Sequence, residues 1–163
     1  MNPAPGFDAL MPHDLLHFIV EKELGLRKGI FGQLAAGGTA GTFHIAQSAA
    51  SNNRVHARKR RSTKERGKKL MDEGQDDCAQ SERGTYICMY EWLLHSSDPQ
   101  LRARAAEMKH TADSILNVMP AAERRALNDK FQARMHIELE TLSREWSSLE
   151  IGQSMTLKWS PRK

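Results

Sequence analysis

Apolar residues fall into helical spacings over most of the chain, and four stretches stand out. Leu15, Leu16, Phe18, Ile19 and Val20 lie almost all the way round a segment running from about His13 to Leu24. That pattern predicts a buried helix rather than one lying on the surface. Pro12 suits its first turn and Gly25 its stop. A second predicted helix, from about Gln80 to His95, carries Tyr86, Ile87, Met89, Tyr90, Trp92, Leu93 and Leu94 and belongs near the centre of the core. Asp98-Pro99 then starts a third: the carboxylate can accept an orphan N–H and proline fits the first turn. Its seam is Leu101, Ala105, Met108, Ala112, Ile115 and Met119, and after a break at Pro120 a fourth seam runs through Leu127, Phe131, Met135, Leu139, Leu142, Trp146 and Leu149. Two seams joined by a short connection predict a long antiparallel helical hairpin.

Two short segments have the alternation of strands instead. Thr42 to Ala46 is one, and Ser154 to Trp159, with Met155, Leu157 and Trp159 on one side, is the other. Paired, they make a minor two-stranded element. Between Gly25 and Gly41 the glycines predict turns and a short helix near Phe31, while residues 47–53 have a linker's composition. The glycines at 37–41 lack the Lys-Ser/Thr of a phosphate loop. The fold class is therefore mainly α, a compact helical domain over residues 1–163 with a polar, flexible insert at 47–79.

Composition narrows this picture only a little. The 163 residues are 39% hydrophobic and 27% charged, enough apolar surface for one core and unlike a wholly disordered chain. Charge changes it more. The formal net charge is +4, yet residues 54–69 hold nine Lys and Arg against Glu65 alone, a local +8. The other 147 residues hold 15 basic and 19 acidic side chains and sum to −4. The domain is an acidic body with one basic segment, in which Arg58, Lys59, Arg60, Arg61, Lys64, Arg66, Lys68 and Lys69 are the expected contacts for an acidic protein or nucleic acid. No aromatic side chain lies in that segment for base stacking, and it has no apolar stripe for a membrane surface. Two cysteines, Cys78 and Cys88, do not make a disulfide scaffold. Free thiols, the lack of a secretory pattern and the lack of an apolar span point to a cytoplasmic protein with no membrane role.

The sharpest chemical pattern is His13-Asp14-Leu15-Leu16-His17. Two histidines four apart project from one helical face and can reach one ion, zinc or another divalent transition metal. The five residues resemble the HExxH motif of zinc hydrolases with Asp14 where those enzymes carry the glutamate base; the resemblance goes no further along the chain. Glu21 lies too far along the axis, about 12 Å from His13, to close on the same ion. Glu91 and His95, again four apart on a buried helix, are the expected remaining ligands. Glu107 and His110 have the spacing of a ligand pair, but His110 points away from the seam at Met108, and His136 with Glu140 reads as a rim pair.

Two functions follow from these patterns. The first is a small helical binding or regulatory module whose basic loop contacts an acidic partner. The alternative is a small metal-dependent hydrolase in which His13 and His17 hold the metal and Asp14 serves as base.

Overall fold

A computed structural model describes residues 8–40 and 65–162. The predicted strand at Thr42 to Ala46, the linker at 47–53 and the basic residues Arg58, Lys59, Arg60, Arg61 and Lys64 lie outside the described residues. Among the described residues seven helices carry the fold: α1 (His13–Leu24), α2 (Ile30–Ala35), α3 (65–73), α4 (Gln75–Leu94), α5 (Pro99–Val118), α6 (Ala121–Ala126) and α7 (Asp129–Ser147). None of the described helices is long and apolar enough to cross a membrane.

The predicted α1 is present with the boundaries its sequence implies. Its last turn is closed by Gly25 in the left-handed region at φ 70°, whose N–H returns to the Glu21 carbonyl. Leu15, Leu16, Phe18, Ile19 and Val20 are all buried, so the helix is enclosed on nearly every side. Asp98 caps α5 by accepting the Gln100 N–H at 2.8 Å, with Pro99 in the first turn, as its sequence predicts. Within the insert, residues 65–73 form α3 and residues 75–79 open α4.

The centre of the assembly is α4, against which α5, α1 and α7 all pack, α5 most extensively. This differs from the expected hairpin. The seam of α5 is spent on α4, where Ala105 and Ala112 are fully buried and allow close approach. Pro120 opens the separate short helix α6, and Asn128 then caps α7 by accepting the Phe131 N–H at 3.1 Å. α6 is tied to α4 by a two-pronged Arg83–Glu123 pair at 2.7 and 2.8 Å.

No strand is present among the described residues. Residues 153–162 have no regular secondary structure and lie against α1, held by side chains and one backbone bond from the Arg162 N–H to the Lys22 carbonyl, 2.9 Å. Trp159 packs on Phe18 and Phe31, with ring centroids 5.6 and 6.0 Å away. Arg162 and Arg134 both reach the buried carboxylate of Glu23, at 2.7 and 3.3 Å, joining this segment and α7 to α1.

Candidate metal centre

Most of α1 is apolar, but one stripe is not. His13, His17 and Glu21 follow one another at four-residue steps, about 40° of drift per step, and so stay on one side of the helix. That side meets α4, which offers Ser81, Glu82 and Thr85 from neighbouring turns. Ser81 and Thr85 are buried, whereas the Glu82 side chain is 63% exposed.

His17 is 1% exposed, and its two ring nitrogens have different surroundings. Nδ1 lies 2.7 Å from the Ser81 hydroxyl oxygen and 3.4 Å from that of Thr85. Nε2 is buried with no hydrogen-bond partner; the nearest carboxylate oxygen, on Glu82, is 3.6 Å away and beyond hydrogen-bonding reach. His13 stands edge-on to the His17 ring at a centroid distance of 4.6 Å. One nitrogen of His13, one of His17 and a Glu82 oxygen all lie within 4.8 Å of one another.

The electrostatics suit a neutral imidazole. Burial, opposed by the Glu82 carboxylate, holds the His17 pKa below the usual imidazole range. Next along the stripe, Glu21 is fully buried and does structural work: Oε1 accepts the Ile30 N–H and Oε2 the Phe31 N–H, at 2.8 and 2.9 Å, capping α2. The Ser81 hydroxyl donates to Glu21 Oε1 at 2.9 Å. Burial pushes the Glu21 pKa up, against the pull of these donors. The backbone comes so close here that a Cβ at Gly29 would lie 2.5 Å from the Glu21 carboxyl carbon.

The remaining sequence-predicted groups are elsewhere. Asp14 is exposed beside His17 and acts on it only through its charge. Glu91 lies nine residues beyond Glu82, about 13 Å further along α4, so Glu91 and His95 do not join the cluster of His13 and His17. They meet each other instead: Nδ1–H of His95 donates to the Glu91 carbonyl at 2.8 Å, and the same nitrogen lies 3.6 Å from the Glu91 carboxylate. Both line a cavity of about 380 Å³ between α4 and α7, over Cys88, Trp92 and Met135. Glu140 accepts the Trp92 Nε1–H at 2.9 Å, and His136 lines the same cavity. Neither thiol is activated: burial raises both, Cys88 most strongly, and the Glu21 and Asp77 carboxylates add to the rise at Cys78.

Glu82, Ser81 and Thr85 were the groups that sequence reasoning missed. Their signal was Ser81 and Thr85, two hydroxyls four apart on a helix otherwise turned to the core. The chain matches no protein-family model, no curated protein and no solved structure.

Proposed function

We propose that this protein is a small helical binding module built to hold a divalent transition-metal ion between α1 and α4, with His13, His17 and Glu82 as its ligands. The observation that carries the reading is the buried Nε2 of His17, which has no hydrogen-bond partner, lies 3.6 Å from a Glu82 carboxylate oxygen and belongs to a ring packed against that of His13. A polar atom out of water without a partner costs about 1–3 kcal/mol, and a metal ion would remove that cost. Two imidazoles and one carboxylate favour zinc, cobalt, nickel or copper over calcium or magnesium. Ligand atoms around a tetrahedral zinc lie closer together than 4.8 Å, and the exposed His13 and Glu82 side chains are free to rotate inward. Three protein ligands leave a coordination position for water, and Asp14 is the base that a hydrolytic form of the site would use. The test is calorimetric titration of the chelator-stripped chain with zinc. One-to-one binding that vanishes in His17→Ala is expected; a wild-type chain that takes up no zinc, cobalt, nickel or copper refutes the reading.

A second reading rests on charge. Arg66, Lys68 and Lys69 are exposed on α3 and lie at the end of the +8 segment. An acidic partner, protein or nucleic acid, meets residues 54–69 in this reading. Binding to a DNA duplex should then weaken steeply with salt and with neutralisation of Arg58 to Arg61; indifference to both would make the segment a spacer.

A further inference from the structure

Ser81 has one proton and two neighbours that want it. Its oxygen is 2.7 Å from His17 Nδ1 and 2.9 Å from Glu21 Oε1. Both oxygens of Glu21 already accept backbone N–H groups at the start of α2, the arrangement of an ionised, acceptor-only carboxylate. The Ser81 hydroxyl therefore donates to Glu21, and its oxygen is left to accept from His17. A neutral imidazole has a single N–H, so placing it on Nδ1 strips Nε2 to a lone pair. That is the nitrogen without a hydrogen-bond partner, 1% exposed with its ring and 3.6 Å from a Glu82 carboxylate oxygen.

We infer that Glu21 and Ser81 are positioning residues that hold His17 in its Nδ1–H tautomer and so present Nε2 as a metal ligand. The inference rests on the metal reading above and specifies how that site is regulated. Metal-binding histidines commonly donate their second N–H to a carboxylate or carbonyl that fixes the ring and strengthens the ligand. Here the carboxylate acts through a hydroxyl, and the same carboxylate caps α2. Metal on Nε2 makes the Nδ1–H a stronger donor, which draws the Ser81 hydroxyl more firmly onto Glu21 and holds the first turn of α2. Occupancy of the site and docking of residues 29–31 are thereby linked, and the linkage runs both ways.

Thr85, 3.4 Å from Nδ1, can take over part of the acceptor role but has no bond to Glu21. The test therefore removes both hydroxyls, in Ser81→Ala with Thr85→Val. Nitrogen-15 NMR of the imidazoles in the zinc-free full chain reads the tautomer directly and needs no variant: a proton on Nδ1 of His17 is expected, and a proton on Nε2 overturns the inference. In the double variant the proton should move to Nε2, and zinc affinity should fall about 10- to 100-fold. Zinc should also slow hydrogen exchange at the Ile30 and Phe31 amides of the wild type and leave it unchanged in the double variant. If the wild type binds zinc and the variant binds it equally well, the relay is wrong and the metal site stands. If the wild type binds no transition metal, both fall.

Discussion

His13 and His17 on α1, and Glu91 and His95 on α4, share one spacing and differ in their surroundings. The first pair has one ring sealed in the core, a hydroxyl bonded to one of its nitrogens, no hydrogen bond at the other, and a carboxylate arriving 3.6 Å from it on a second helix. The second sits at the end of its helix, where the His95 side chain is 66% exposed and is satisfied by the acid and carbonyl one turn back. Spacing brings two side chains onto one face. What turns a pair into a binding site is an unmet bonding capacity that water cannot reach, with further ligands converging on it. The Glu91/His95 pair has no such deficit, and a solvent-facing pair of this kind contributes about 0–1 kcal/mol.

The comparison can be broken at its acids. Glu21→Ala strips two helix-start N–H groups and the Ser81 hydroxyl of their acceptor, and urea unfolding should show a loss of about 3 kcal/mol or more. Glu91→Ala should cost less than about 0.5 kcal/mol, as surface changes do. Equal losses would mean that the two regions are not different in kind. Metal sharpens the contrast further. At a hundredfold excess over its dissociation constant, zinc should stabilise the wild-type chain by about 2.7 kcal/mol. His95→Ala should keep that gain and His17→Ala should lose it, as read from the shift in unfolding midpoint.

A smaller effect tests whether ordinary ion pairs here behave as the second region does. Burial alone would raise the Asp8 pKa, but the Leu10 N–H, the Arg104 guanidinium at 2.7 Å and the Met11 N–H outweigh it and hold the carboxyl below its ordinary 3.8. A carboxyl with a lowered folded pKa contributes stability above its unfolded value, and that contribution is lost as pH falls through the folded one. Arg104→Ala should therefore cost about 0.5–1 kcal/mol near neutrality. The gap from the wild type should close below pH 3.8, where a pH series of urea midpoints will show it.

How much of this was legible in the sequence depended on whether the determining contacts were local. Pro12, Gly25 and the Asp98-Pro99 start act within a turn of themselves, and each marks its helix end correctly. His13 and His17 share a face for the same local reason. Partner choice is not local. The α5 seam has the same period whether it meets α7 or α4, so the sequence alone could not separate a hairpin from packing on the central helix. Alternation at Met155, Leu157 and Trp159 likewise does not specify a ladder: Met155 and Trp159 pack against the core, Leu157 is exposed, and no strand is present among the described residues. Glu82 was hidden because its side chain is mostly exposed and its neighbours on α1 are more than 60 positions away. Glu91 and His95 looked better by spacing, yet the helical rise carries them about 13 and about 20 Å beyond Glu82.

The carboxylate of Glu21 fills the space that a Cβ on residue 29 would need, its carboxyl carbon lying 2.5 Å from where that Cβ would stand. Translated into evolutionary terms, neither position can drift alone. A lineage that places alanine at 29 has to shorten or remove the side chain at 21 first, and in doing so gives up the acceptor of Ser81 and the cap of α2. In any set of descendants of this chain, the pair should appear as coupled columns, and the histidine at 17 should become free to vary in those sequences where the coupling has been broken.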